Sequence, residues 1–165
     1  MGVSQAEFRR ALGCFATGVT VVTVAGGRGQ VHGMTANAFC SASLEPPLVL
    51  ICVDQGSETH ALLRAAQRFG VNVLREDQHD LARYFAQAEK TPQDAERLGV
   101  RYRATVRGTP LLEASLAQLD CAVVAAHEAG DHSIFIGEVE EAVVAQAPPL
   151  LFYAGKYRRL SHNGF

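Results

Sequence analysis

The apolar positions of this chain fall into short β-type runs with helical stretches set between some of them. Residues 18–25 hold Val-Thr-Val-Val-Thr-Val, a β-branched run that predicts a strand. Gly26-Gly27-Arg28-Gly29 reads as a hairpin turn rather than a phosphate loop, and a second strand over residues 30–40 completes the hairpin. Ahead of them, Ser4-Gln5-Ala6-Glu7 has the capping-box pattern, and Phe8, Ala11 and Leu12 share a face, which predicts a helix over residues 4–12. Residues 48–53 are wholly apolar and predict a strand buried on both faces. Ser57 is a good N-cap for a helix carrying Ala61, Leu62, Ala65 and Ala66.

Residues 69–74 predict another strand. Residues 78–88 put Leu81, Ala82, Phe85 and Ala88 on one helical face. Thr91-Pro92 opens a further helix that ends at Gly99. Residues 106–112 form a short strand pair or turn. Residues 116–127 and 133–145 form a long hairpin about Gly130-Asp131, and Ala147-Pro148-Pro149 breaks it. Residues 150–153 and 156–160 close the chain as short strands around Ala154-Gly155. The sum is seven or eight strands with about three inserted helices and no regular β-α alternation, which points to a mainly β protein. A closed or split antiparallel barrel suits the hairpins and removes open edges. No repeat or linker divides residues 1–165, so a single domain is expected.

Composition narrows the partners. Hydrophobic residues are 48% and charged residues 19% of the chain, ordinary for a globular domain. A formal net charge of -2 argues against nucleic-acid binding. No apolar run reaches the roughly 20 residues that span a bilayer, and no signal-like core is visible, so a cytoplasmic protein without membrane contact is expected. Cys14, Cys40, Cys52 and Cys121 lack paired spacing and lie in apolar or small-residue stretches, which predicts buried free thiols. The histidines show no metal-ligand spacing, and no metal is expected.

Few catalytic patterns are present. There is no Gly-x-Ser-x-Gly elbow, Gly-x-Gly-x-x-Gly fingerprint or Walker loop. Glu138, Glu140 and Glu141 read as a solvated strand face. The segment from His32 to His60 stands out because small and hydroxyl residues replace bulky ones. Gly33, Ala36 and Ala38 let a ligand approach the backbone. Thr35 and Asn37 offer hydrogen bonds at ring height, and Ser57, Thr59 and the open amides of their helix form an anion site. A flavin nucleotide fits that combination. Equally, Ser57 is a plain N-cap and Asn37 a bulge residue, and the spacing leaves both readings open.

The run Gly33-x-Thr35-x-Asn37-x-Phe39-x-Ser41-x-Ser43-x-x-Pro46-Pro47-Leu48-Val49 resembles the signature of the flavin reductase-like family. The likeness continues through Asp54-x-x-Ser57-x-Thr59-His60 and Phe69-x-Val71-Asn72-x-Leu74. It resumes in Gly130-Asp131-His132-Ser133-Ile134-Phe135-Ile136-Gly137-Glu138-Val139 and ends in Pro149-Leu150-Leu151-Phe152-Tyr153-x-Gly155-Lys156-Tyr157. It covers nearly the whole chain in order.

The resemblance implies an FMN-binding split barrel of Greek-key type, a homodimer, and hydride transfer from NADH or NADPH to FMN or FAD. The reduced flavin would pass to a separate monooxygenase. By the same resemblance, Gly33, Met34, Thr35, Ala36 and Asn37 would meet the isoalloxazine edge, and Ser41 and Ala42 would lie along the ring and ribityl chain. Asp54, Ser57, Glu58, Thr59 and His60 would frame the phosphate end, and His132 would face the nicotinamide with Tyr157 nearby. Ala38 and Ala42 depart from the commoner serine and valine, which removes at most one hydrogen bond. Lys156, Arg158 and Arg159 either touch a cofactor phosphate or form a solvated, dimer-rim strand, and the rim is the default reading. The competing reading is a non-catalytic flavin- or haem-binding barrel.

Overall fold

The computed structural model describes residues 2–161. Helix α1 (Gln5–Leu12) starts on the expected capping box: the Ser4 hydroxyl accepts from Glu7 N, and the Glu7 carboxylate accepts from Ser4 N. Strands β1 (Thr17–Gly18), β2 (Thr20–Ala25), β3 (Val31–Ala36), β4 (Phe39–Leu44) and β5 (Pro47–Asp54) follow. Helix α2 (Glu58–Ala66) leads to β6 (Arg68–Val73), α3 (His79–Ala86) and α4 (Pro92–Arg97). The chain ends with β7 (Tyr102–Ala104), β8 (Pro110–Leu112), β9 (Ala117–Ala129), β10 (His132–Val144), β11 (Leu151–Tyr153) and β12 (Lys156–Arg158). The described residues thus hold twelve strands rather than seven or eight. Seven form the main sheet, and the others are short strands at its periphery.

The main sheet runs β3-β2-β6-β9-β10-β5-β4, antiparallel at each step. Its two outermost strands are consecutive in sequence, joined only through Asn37 and Ala38. Two residues span at most about 7 Å, so the sheet must curl until its edges meet. The result is a split barrel whose seam lies at Asn37–Ala38. This corrects the single strand expected over residues 30–40. Asn37 and Ala38 are poor strand formers, and there the chain leaves β2 and turns to pair with β5.

Two apolar clusters stabilise the barrel. One fills its interior with Val22, Ile51, Phe69, Val71 and Phe135, all fully buried. The other packs Val19, Val21, Phe85, Leu112 and Leu150 beneath α3. Buried Asn72 ties the β8 excursion to the barrel: its amide nitrogen donates to Val21 O, and its carbonyl accepts from Leu112 N.

The strand expected to be buried on both faces is not. In β5, Val49, Ile51 and Val53 are buried while Leu48, Leu50 and Cys52 are half-exposed. The outward row continues across the sheet, because Leu50 pairs with Cys40 on β4 and Ile136 on β10, and Ile136 pairs with Ala125 on β9. The cysteines also depart from expectation. Only Cys121 is buried, Cys52 is intermediate, and Cys14 and Cys40 are exposed free thiols.

Candidate functional site

The seam residue Asn37 and the β10 residue His132 line one cleft of about 590 Å³, with Phe8, Phe15, Phe152 and Tyr153 among its walls. Register explains the meeting. Cys52 N donates to Ala38 O at the head of the β4–β5 ladder, and two residues on, Asp54 sits opposite His132. The turn before β10 needs a left-handed residue, which Gly130 supplies at φ 65°. Its partner turn is fastened by Gln55, whose backbone amide donates to Asp131 O and whose side-chain amide donates to His132 O.

His132 is half-buried, and its Nδ1 lies 2.8 Å from Asp131 Oδ1. A carboxylate only accepts, so Nδ1 carries the proton and Nε2 of the neutral ring is an acceptor. The same contact, through its hydrogen bond, holds the Asp131 carboxyl below its ordinary range.

The aromatic walls were not recognised as site residues in the sequence. Helix α1 buries none of its residues, and Phe8 and Leu12 are 56% and 58% exposed. Its apolar face lines the cleft instead of the core. The available signal was a short amphipathic helix whose apolar face had no partner.

The other expected residues divide. Of residues 33–37, only Asn37 lines the cleft. On β3, Gly33 and Thr35 face α3: a Cβ on Gly33 would lie 2.6 Å from the Phe85 ring, and the Thr35 hydroxyl donates to Ala82 O at 2.7 Å. Met34 and Ala36 point the other way, into the barrel core. The expected ring-height hydrogen bond from the Thr35 side chain is therefore corrected, because that hydroxyl holds α3 on the strand. Asn37 has no hydrogen-bond partner among the described residues, and exposed Ser41 offers its hydroxyl along the β4 edge beside Ala42.

At the start of α2, internal bonds take up most of the expected phosphate donors. The Ser57 hydroxyl donates to Asp54 O and accepts from His60 N. The Asp54 carboxylate accepts from Gly56 N. The buried Thr59 hydroxyl is 2.7 Å from His32 Nε2, and His60 Nε2 is 2.9 Å from Ser133 Oγ, with its ring edge-on to Phe135. Glu58 lies with His32, Tyr84 and Lys90 on a separate cleft of about 500 Å³. Burial lowers the affinity of His32 for a proton, and the Glu58 carboxylate opposes it. The amides of Glu58 and Thr59 remain at the open end of the helix.

The Tyr157 ring packs edge-on to Phe152 at 5.5 Å and lines a neighbouring cleft, which shares Gly155 with the one that holds His132. Among the described residues no cluster of His, Cys, Asp or Glu could hold a metal, and no helix is long and apolar enough to cross a membrane.

A split barrel with an aromatic cleft at its seam, an unpartnered amide on one side and an oriented imidazole on the other defines a protein built to take a flat heteroaromatic ligand. The comparisons specify which kind. A profile described as the flavin reductase like domain matches residues 12–161, and the chain belongs to that family. It is 42% identical to an NADH-dependent flavin reductase of Rhodococcus over 98% of this chain and 90% of that one. It is 40% identical to the reductase subunit of a flavin-dependent monooxygenase from Mycobacterium tuberculosis, over 94% of this chain and 82% of that one. The NADH:FAD oxidoreductase of Streptomyces globisporus, solved with NAD and FAD fragments, superposes with a TM-score of 0.88 at 40% identity, covering 98% of this chain and 96% of that one.

Proposed function

We propose that this chain, as a single domain, is an NAD(P)H:flavin oxidoreductase that reduces FMN or FAD and supplies the reduced flavin to a separate monooxygenase. The observation that carries the reading is the meeting of Asn37 and His132, from opposite ends of the chain, on one aromatic cleft at the barrel seam. The residues present suit a flavin. The cleft volume lies within the range of small-molecule sites, roughly 300–1,000 Å³. The walls are aromatic, and the Asn37 amide and Ser41 hydroxyl are free to bond. Bound there, the flavin would accept hydride at N5 from C4 of the nicotinamide.

The side chains then have limited tasks. Asn37 bonds the ring edge, Ser41 and Ala42 line its flank, and the amides of Glu58 and Thr59 offer positive partial charge to a phosphate. His132 holds the nicotinamide carboxamide through Nε2. Phe8, Leu12 and Phe15 exclude water from the mouth. Hydride transfer between two cofactors needs geometry more than acid-base help, and no paired carboxylate lies on this cleft. A passive flavin- or haem-binding role is disfavoured by the family match. The test is a steady-state assay of nicotinamide absorbance across FMN or FAD with NADH or NADPH. Turnover with at least one pair is expected, and its absence in all four defeats the reading.

The chain also pairs with a second copy of itself. The support is the outward apolar row of Cys40, Leu50, Ile136 and Ala125, flanked by Cys52 and Ile134, all exposed or half-exposed among the described residues. Sedimentation should give twice the 17.7 kDa chain mass. Ile136→Asp should shift the mass to that of one chain, since a charge at the centre of the patch loses its solvation on association. A cytoplasmic setting accords with the exposed free thiols of Cys14 and Cys40.

A further inference from the structure

The β11–β12 hairpin has a cleft on each side. One is the His132 cleft. The other, of about 690 Å³, is lined by Arg83, Lys156, Tyr157, Arg158 and Arg159 above Leu150, and Gly155 at the hairpin turn borders both. Its floor is apolar, with Leu150 1% exposed and the Tyr157 ring half-buried. Its rim is cationic, and Glu76 is its one carboxylate.

That rim gathers its cations round one cleft, whereas the other described arginines without an ion pair, Arg9, Arg10, Arg64 and Arg101, lie on α1, on α2 and ahead of β7. Arg75, Arg97, Arg103 and Arg107 each pair with a carboxylate within 3.2 Å. Among the described residues, Lys156, Arg158 and Arg159 pair with none, and Arg83 has only a 3.8 Å contact with Asp80 between two exposed side chains. A solvated rim on a chain of net charge -2 should carry interspersed carboxylates. Unpaired guanidinium and ammonium groups around an apolar floor match a diphosphate joined to a flat base. Arginine meets phosphate through two parallel hydrogen bonds, and an aromatic ring offers a stacking surface.

We propose that this cationic cleft receives the adenosine diphosphate half of a dinucleotide whose redox-active half lies in the adjoining Asn37–His132 cleft. The inference rests on the reductase reading of that neighbouring cleft. A dinucleotide joins two flat halves through a diphosphate, so it needs two adjoining sites with positive charge at the join. NADH and FAD share the chemistry, and the test separates them.

The variant is Lys156→Glu with Arg158→Glu, and Arg64→Glu, at an exposed position on α2, controls for general charge. KM is measured for NADH against reduced nicotinamide mononucleotide, and for FAD against FMN. The double variant should raise KM for a dinucleotide about tenfold or more while the matching mononucleotide changes less than about twofold. A selective rise with NADH assigns the cleft to the nicotinamide dinucleotide, and one with FAD assigns it to the flavin. Either supports the proposal. No rise, an equal rise with mononucleotides, or the same effect from Arg64→Glu overturns it.

Calorimetric titration with ADP needs no turnover. Wild type should bind and the double variant should not. Failure of the wild type to bind ADP overturns the proposal even where NADH is oxidised. ADP binding by a wild type that oxidises no nicotinamide leaves this site standing and defeats the reductase reading alone.

Discussion

His132→Ala is expected to lower kcat/KM for nicotinamide oxidation by about a hundredfold, while the flavin dissociation constant stays within a factor of about two. The effect originates in the turn ahead of β10. Gly130 at φ 65° sets Asp131 and His132 at the start of β10, and pairing with Asp54 fixes the backbone of His132. The 2.8 Å contact with Asp131 then fixes the ring and leaves Nε2 as an acceptor facing the cleft. A nicotinamide carboxamide presents two N–H donors, and one bond to a rigid acceptor is enough to orient its ring. Without it the nicotinamide still enters but seldom reaches near-attack geometry, so the loss falls on hydride transfer. In the proposed arrangement Asn37, not His132, bonds the flavin, so flavin binding should be spared. Asp131→Asn is the companion measurement. It keeps a side-chain partner for Nδ1 but permits the other tautomer, so a smaller loss of about three- to tenfold is expected. Stopped-flow reduction of pre-bound flavin reads the step directly. An unchanged rate in His132→Ala would remove the histidine from the mechanism.

Much of the fold was legible because its elements carry local signals. The Ser4 capping box, the Ser57 and Thr91 N-caps and the Gly130-Asp131 turn all act within a few residues, and each appears where the sequence puts it. The seam was not legible. Residues 30–40 alternate acceptably as one strand, and only the curvature of the whole sheet requires a change of partner at Asn37–Ala38. The outward face of β5 was missed for a related reason: a strand that is apolar throughout looks the same whether its second face is covered or partly open.

The site was legible by motif and less so by role. The motif found Asn37 and His132, which share the cleft. It also included Gly33, Thr35, Thr59 and His60, whose side-chain positions face α3, His32 or Ser133. A hydroxyl beside a ligand site and a hydroxyl fastening the scaffold under that site have the same spacing in a sequence. Only the partner distinguishes them. The aromatic walls from α1 and β11 come from both chain ends, and no local pattern joins them.

Replacing Asp120 should be strongly destabilising although it lies away from the cleft. Asp120→Ala should cost about 3 kcal/mol or more, the range for breaking one partner of a buried ion pair. The Asp120 side chain is fully buried on β9, where its two oxygens accept from Arg68 Nη2 at 2.7 Å and Thr105 Oγ1 at 2.8 Å. Arg68 belongs to β6 and also meets Glu140 on β10, while Thr105 follows β7. One carboxylate therefore joins the barrel wall to the β7–β8 excursion. Alanine would leave Arg68 and Thr105 short of an acceptor, although Glu140 and the partial exposure of Arg68 limit the loss.

The pH dependence of that loss has a definite sign. Burial alone would raise the pKa of Asp120, but hydrogen bonds from Thr109, Arg68 and Thr105, together with the Arg68 charge, bring it below the ordinary value of 3.8. The unfolded chain therefore takes up this proton first as acid is added. The stabilisation is fully present above about pH 5 and declines as pH falls through 3.8 toward the folded-state value. Asp120→Asn keeps the shape and removes the titration. Urea melts from pH 3 to 7 should show the wild type losing stability more steeply on the acid side than the Asn variant, with the two curves closest at the lowest pH. Parallel curves over the whole range would show that Asp120 is not held by these bonds.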